Sequence, residues 1–191
     1  MLELSLNLQR QNLINRLWQD IKANLNEDGN LSPVAFLSIS AAWEFPKNFE
    51  VTVNDQTFYC LTSAGDSEDY QLLIILLNFD NKSLSVGLVQ KFVTEFNADF
   101  VIIVTEAWIV QKPEREIELD PQKAFLIPPR LDPDRQEVLL ISFQNRLGTW
   151  QSFNPIKRDK MGNPHLRQTF EDFTFFEEMM GSFNLNFVEV N

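Results

Sequence analysis

The chain has 191 residues, of which 44% are hydrophobic and 12% aromatic, and its formal net charge is −11 at pH 7. This length suits one domain with a packed core, and the negative charge argues against nucleic acid or an anionic membrane as the partner, because both are polyanions. One cysteine and one histidine exclude an intramolecular disulfide and the usual four-ligand zinc site, so we expect neither a structural metal nor a cofactor.

The N-terminal segment shows no pattern of a secretory leader or a membrane anchor. Residues 1–12 lack the basic start and the long apolar core of a signal peptide. Nowhere does an apolar run reach the roughly 18 residues that a transmembrane helix needs. We therefore expect a soluble, cytoplasmic protein whose partner is another protein or a second copy of itself, and not nucleic acid or a membrane.

Hydrophobic side chains at four-residue spacing predict an amphipathic helix over residues 7–26. The row consists of Leu13, Leu17, Ile21 and Leu25. We expect this helix to pack on the domain, and a helix that binds a partner is the alternative.

Three predicted strands follow the N-terminal helix. Residues 33–43 have the composition of a short strand. Residues 49–53 and 57–61 alternate in hydrophobicity around the dipeptide 54–55, which predicts a hairpin. The apolar run 70–77 suits a buried strand or a buried helix, and its short length favours a strand.

Residues 84–96 predict a second amphipathic helix, and residues 100–110 predict the central strand of the sheet. The helical row consists of Leu84, Leu88, Phe92 and Phe96, with Asp80, Asn81 or Ser83 as the cap. Residues 100–110 are apolar except for Thr105 and Glu106, which is typical of a strand covered on both faces. Together with the strand over 70–77, these two elements predict a βαβ unit.

The second half of the chain predicts another hairpin. Residues 137–143 and 149–156 are strand-like and flank a turn at 145–148. The complete pattern predicts one α+β domain over residues 1–191, with a mixed, largely antiparallel sheet that contains one βαβ unit and with the N-terminal helix packed on it. Residues 168–191 form a Phe-rich C-terminal appendage.

This appendage carries an apolar row at helical spacing, which predicts one side of a short helix that ends at Gly181. The row consists of Phe170, Phe173, Phe176 and Met180. An exposed apolar patch of this kind marks an interface, and the sequence contains no set of residues typical of an active site. The sequence therefore favours a non-enzymatic domain that binds another protein or itself.

Glu106 is the charged residue for which the sequence predicts a specific environment. It shares a strand face with apolar side chains, so its carboxylate must be paired, hydrogen-bonded or at the solvated end of the strand. We interpret Glu106 and Trp108 as a candidate ligand site. Arg135 or Arg146 is the candidate counter-charge within that site. The alternative is a salt bridge that fixes the register between this strand and residues 137–143.

A second function, from a different class, uses the same glutamate. Glu106, Asp132 and Asp134 together suit a divalent cation, since magnesium accepts carboxylate ligands alone, and this set predicts a hydrolase or a nuclease. A nucleophile–base pair of Cys60 and His165 is a further alternative, but a lone cysteine in an apolar strand is usually a core residue. An acidic mimic of DNA needs its charges along one face, whereas here they alternate with Lys and Arg.

One part of the chain resembles a known sequence pattern. Residues 98–108 read ADFVIIVTEAW, and residues 132–139 read DPDRQEVL. This combination resembles uncharacterised bacterial proteins in which an apolar strand ends in Glu-Ala-Trp and a Pro/Arg/Glu-Val run leads into the next strand. The resemblance implies a bacterial or phage cytosolic origin, and it implies no function and no active residues.

Overall fold

The computed structural model describes residues 33–64, 70–77, 81–110, 131–162, 164–165, 174–176 and 185–187. These residues form ten strands and one helix. In chain order they are β1 Val34–Ser40, β2 Asn48–Val53, β3 Gln56–Ala64, β4 Tyr70–Leu76, α1 Lys82–Glu95, β5 Phe100–Ile109, β6 Gln136–Asn145, β7 Gly148–Pro155, β8 Lys157–Arg158, β9 Pro164–His165 and β10 Thr174–Phe176. The predicted helix over residues 7–26 lies outside the described residues.

Eight of the described strands form one sheet in the order β10-β7-β6-β5-β1-β4-β3-β2, and β8 pairs with β9 separately. Every described pairing is antiparallel. The prediction of an α+β fold with a mixed sheet was wrong, because the described part of the chain is mostly antiparallel sheet with a single helix and is closer to an all-β fold.

The position of β1 explains this correction. The elements β4, α1 and β5 follow one another in the chain as predicted, but β1 lies between the two strands and pairs antiparallel with both. Six of its seven residues are buried. A strand that is apolar on both faces belongs inside a sheet and takes a neighbour at each edge, so it separates β4 from β5.

The hairpin of β2 and β3 is confirmed. Val53 and Gln56 are the last pair before the turn. Asn54 and Asp55 have φ angles of 49° and 61°. Two positive φ angles in a two-residue turn define type I′, whose twist matches that of the paired strands. Asn and Asp tolerate this backbone region better than most residues, which is why the dipeptide turns the chain here.

Helix α1 is confirmed, and Asn81 caps it. The Asn81 Oδ1 atom accepts a hydrogen bond from the Leu84 backbone N–H at 3.3 Å, as an N-cap side chain does. At the other end, Phe96 donates its N–H to the Phe92 carbonyl at 3.0 Å, and Asn97 has a positive φ of 48° that stops the helix.

The sheet buries apolar side chains on both faces. The helix-side core contains Ala35, Leu37, Ile39, Phe58, Cys60, Leu73, Ile75, Leu88, Val89, Phe92, Val93, Val101, Ile103 and Leu185. The second core, on the opposite face, contains Val34, Phe36, Leu72, Ile74, Ile102, Val104, Leu139, Ile141, Phe143 and Trp150. Consecutive residues of β5 alternate between the two cores, which confirms that β5 is an interior strand covered on both faces.

The C-terminal appendage departs from its predicted helix. Residues 174–176 form the strand β10, which pairs antiparallel with β7. The helix predicted from the spacing of Phe170, Phe173, Phe176 and Met180 is therefore wrong where Phe176 lies. The other three residues of that row lie outside the described residues, so their role as an interface stays a prediction.

Candidate functional site

The candidate site predicted from Glu106 lies where β5 leaves the second core. Ile102 and Val104 are buried, the Glu106 side chain is 25% exposed, and Trp108 is 43% exposed. All four side chains lie on one face because residues of a strand alternate in direction. The carboxylate therefore lies at the solvated end of an apolar row, as the sequence predicted.

Arg158 on β8 is the counter-charge that the structure shows for Glu106. Its Nη2 atom lies 3.7 Å from Glu106 Oε1, and its Nε atom donates a hydrogen bond to Glu137 Oε2 at 2.9 Å. Nη2 also donates to Glu137 Oε1, which makes the contact with Glu137 bidentate. The hydrogen bond to Glu137 raises the pKa of Arg158, and the charges of Glu137 and Glu106 add to this effect.

Strand register brings the two glutamates together. Glu106 lies opposite Leu139, and Trp108 lies opposite Glu137, so the two carboxylates are diagonal neighbours on the same face of β5 and β6. Their like charges repel, and a planar guanidinium between them offsets that repulsion. Arg158 also donates to the Gly162 carbonyl at 3.1 Å, which ties the β8–β9 loop to the sheet. The alternative considered was a salt bridge between the Glu106 strand and residues 137–143, whereas here the cation is Arg158 on β8, which contacts Glu106 and also Glu137 of that segment.

Arg135 lies against Trp108. Its Cζ atom lies 5.0 Å from the centroid of the Trp108 ring, a cation–π distance. Its Nη1 atom donates to the Asp132 carbonyl at 3.4 Å. The Asp132 Oδ1 atom accepts a hydrogen bond from the Asp134 backbone N–H at 2.9 Å. The turn before β6 thus positions Arg135 on the exposed tryptophan.

Arg146 lies at the opposite end of β5. Its Nη2 atom donates a hydrogen bond to Asn97 Oδ1 at 2.8 Å. Because Phe100 pairs with Asn145, Arg146 lies beyond the start of β5, roughly 20 Å along the strand from Glu106. The structure therefore brings Glu106, Trp108 and Arg135 to one end of the strand and places Arg146 at the other.

Sequence reasoning missed Arg158 and Glu137 as members of this cluster. Arg158 follows Glu106 by some fifty positions, and only the fold brings β8 to β5. The carboxylate set proposed for a divalent cation receives no support, because the described residues contain no group of three or more His, Cys, Asp or Glu placed to hold a metal ion.

Cys60 has the environment of a core residue. It lies on β3 within the helix-side core and is 1% exposed. Burial raises the pKa of its thiol to about 11. A nucleophilic cysteine needs a lowered pKa and access to solvent, so Cys60 is unsuited to that role.

A second feature is the outer edge of β2, which sequence reasoning did not identify. Among the described strands, β2 is the last in the sheet and pairs only with β3. The Lys47 carbonyl accepts a hydrogen bond from the Thr62 N–H at 3.0 Å, so the odd-numbered residues of this strand direct their polar backbone groups toward β3. The N–H and C=O groups of Asn48, Glu50 and Thr52 therefore point away from the sheet.

Aromatic side chains lie beside this edge. Phe45 stacks on Phe49 with ring centroids 5.4 Å apart, and the edge of Phe96 packs against Phe45 at 5.2 Å. Trp43, which is 45% exposed, contacts Phe96 at 5.1 Å. The cluster joins α1 to β2 and leaves Trp43 at the surface.

A third feature is the segment 185–187, which lies between α1 and β6. The Gln90 amide pairs with the backbone of Asn186, donating to its carbonyl at 2.8 Å and accepting from its N–H at 2.7 Å. Gln144 Oε1 accepts a hydrogen bond from the Leu185 N–H at 3.3 Å. Two side-chain amides thus hold backbone from the far end of the chain, and Leu185 enters the helix-side core.

Comparison with known proteins gives no family. The sequence matches no family model, and searches of curated proteins and of solved structures found no significant match. The resemblance of residues 98–108 and 132–139 to a bacterial sequence pattern stays a prediction. Within the described residues, no helix is long and apolar enough to span a membrane.

Proposed function

We propose that this chain is a non-enzymatic interaction domain that pairs with another polypeptide along the outer edge of β2. The observation that supports this proposal is the orientation of the backbone groups of Asn48, Glu50 and Thr52, which point away from β3 at the last described strand of the sheet. An extended polypeptide satisfies such groups by adding one more strand.

The composition of β2 suits this role. Proteins usually protect an edge strand with proline, with charged side chains (above all lysine), with a bulge or with a very short length. Glu50 is the single charged residue of β2. Residues 48–53 contain no proline and no lysine, and their pairing with β3 runs without a bulge. An added strand would also extend the face on which Phe49, Val51 and Val53 pack against the helix-side core.

The second function considered, a carboxylate and divalent-metal hydrolase, is favoured by no specific observation. Glu106 and Glu137 lie around the guanidinium of Arg158. A cation beside that positive charge would be repelled.

Amide hydrogen exchange of the full chain at high dilution tests whether the edge is open. We expect the amides of Glu50 and Thr52 to exchange fast and those of Phe49, Val51 and Val53 to be protected, because only the odd-numbered residues bond to β3. Protection of Glu50 and Thr52 at high dilution would mean that the edge is covered within the chain and would overturn the proposal.

Peptide selection tests the binding itself. Extended peptides selected on the wild-type chain should lose at least about tenfold in affinity for Thr52→Pro, which removes an outward N–H and places a ring at the edge. Thr52→Val is the matched control, since it keeps the N–H and the β-branched shape. Selected peptides that bind a folded Thr52→Pro variant as well as the wild type, or a selection that enriches nothing, would contradict the proposal.

A further inference from the structure

We infer that the strand that pairs with β2 is β2 of a second copy, antiparallel and related by a two-fold axis at Val51. This inference rests on the proposed function of the β2 edge and identifies its partner. Three arguments support it: the alternation of inward and outward backbone groups along β2, the charge on the strand and the side chains on its inner face.

The alternation of inward and outward backbone groups along β2 restricts the possible registers. In an antiparallel pair, residues that exchange hydrogen bonds lie directly opposite each other. At the β2 edge the outward groups belong to even-numbered residues, so an even-numbered residue of one copy must face an even-numbered residue of the other. The two-fold axis then passes through a residue rather than between two residues, and near the middle of β2 that residue is Glu50, Val51 or Thr52.

Charge and the length of the pairing decide between these three registers. An axis at Glu50 places the two Glu50 carboxylates opposite each other, which is unfavourable in a cross-strand pair. An axis at Val51 places Glu50 opposite Thr52 of the second copy, so that no like charges face each other, and five residues of each β2, Phe49–Val53, lie in the new ladder. An axis at Thr52 leaves only residues 51–53 of each copy in the ladder, because Asn54 and Asp55 form the turn that returns the chain to β3.

The register about Val51 also completes the backbone and apolar pairing. Glu50 and Thr52 of each copy exchange hydrogen bonds with Thr52 and Glu50 of the other. On the inner face, Val51 meets Val51 of the second copy, and Phe49 meets its Val53. Since Phe49, Val51 and Val53 are only partly buried in one copy, the pairing covers more of their apolar surface.

Disulfide trapping tests the register in the full chain. Val51→Cys places two thiols in a non-hydrogen-bonded pair with Cα atoms about 4.5 Å apart, which is within disulfide range. Under mild oxidation we expect this variant to form a covalent dimer. Val53→Cys is the matched control, because its two thiols lie more than about 12 Å apart in this register and should not link. The wild type, whose Cys60 is buried, should also stay unlinked.

Association is measured in parallel by sedimentation over a range of concentrations. We expect a reversible dimer whose Kd rises at least about tenfold in Thr52→Pro. Glu50 and Thr52 amides of the wild type should gain protection as concentration increases.

The outcomes separate this inference from the proposed function. The inference that the partner is a second copy is overturned if both cysteine variants form a covalent dimer, if neither does, or if the wild type stays monomeric at every concentration. If peptides sensitive to Thr52→Pro are nevertheless selected, the edge binds a different polypeptide and the proposed function stands. Peptides insensitive to that substitution overturn both.

Discussion

At the scale of single residues, Cys60 illustrates how burial changes chemistry. Burial raises the pKa of its thiol from about 9 to about 11. The folded chain therefore retains a proton that the unfolded chain releases above pH 9, so rising pH favours unfolding. This contribution to stability is intact below about pH 9 and is lost between pH 9 and 11, by roughly 2–3 kcal/mol at most.

The measurement is urea unfolding of the wild type and of Cys60→Ala between pH 8 and 11. The two proteins share every other ionisable group, so the difference between the two curves isolates the thiol. We expect a smaller loss of unfolding free energy with pH in Cys60→Ala. Parallel curves for the two proteins would show that the thiol does not contribute.

A second residue-scale prediction concerns the cluster of Arg158, Glu137 and Glu106. Arg158→Lys should cost about 1 kcal/mol, because an ammonium group cannot reproduce the bidentate contact with Glu137. Glu137→Gln should destabilise more than Glu106→Gln, since Glu137 accepts two hydrogen bonds from the guanidinium and Glu106 lies 3.7 Å from it. Double-mutant cycles in urea measure both couplings, and a stronger coupling of Arg158 to Glu106 than to Glu137 would contradict this order.

The same cluster shows which features of the site could be predicted from the sequence. A carboxylate in an apolar strand row has to be paired or solvated, and this requirement predicted the environment of Glu106 correctly. The identity of its partner was not predictable, because Arg158 lies on a different strand and no local pattern links the two. Arg135, the closer candidate in sequence, contacts Trp108 instead.

At the scale of elements, the turn between β2 and β3 gives a prediction about backbone strain. Asp55 has a φ of 61°, a region that Gly adopts without a Cβ penalty. Asp55→Gly should therefore stabilise the fold by roughly 0.5–1 kcal/mol and create the favoured Asn-Gly type I′ turn. Thermal unfolding measures the change.

Asp134→Gly is the matched control for this substitution. Asp134 also lies in a turn, but it is not among the described residues with positive φ, so glycine there should only increase the entropy of the unfolded chain and lower stability. Equal effects of the two substitutions would mean that the positive φ of Asp55 carries no strain.

Elements formed by neighbouring residues were predictable, whereas their partners in the sheet were not. The hairpin, helix α1 and strand β5 follow from alternation, four-residue spacing and apolar length. The mixed sheet was wrong because β1 lies between the two strands that flank α1 and pairs antiparallel with both. Which strands become neighbours depends on contacts between segments that are distant in the chain, and no local pattern in the sequence indicates it.

At the scale of the whole molecule, the contact of residues 185–187 with α1 and β6 links distant parts of the chain. Leu185→Ala should destabilise the fold by roughly 2–4 kcal/mol, since Leu185 is buried in the helix-side core. Gln90→Ala should accelerate amide exchange of Asn186 with a smaller loss of stability, because it removes the two hydrogen bonds between the Gln90 side chain and the Asn186 backbone at the surface.

Gln90→Glu is the control for the second substitution. It keeps an acceptor for the Asn186 N–H and loses the donor to the Asn186 carbonyl, so its exchange rate should lie between those of the wild type and Gln90→Ala. An unchanged exchange rate in Gln90→Ala would contradict the contact between the Gln90 side chain and the Asn186 backbone.

The core position of Leu185 also affects how the Phe-rich row is tested. Deleting residues 168–191 would remove Leu185 from the core, so a change in association could not be separated from a loss of stability. Point substitutions in the row are therefore the better test of an interface.

The sequence by itself determined the local elements, the excess of negative charge and the requirement that Glu106 be paired or solvated, because these depend on residues close together in the chain. Only the tertiary structure decided the antiparallel strand order, the identity of Arg158 as partner, the insertion of Leu185 into the core and the position of β2 at the end of the described sheet. These features arise from contacts between distant segments, where the free energy depends on complementary surfaces that meet only after folding.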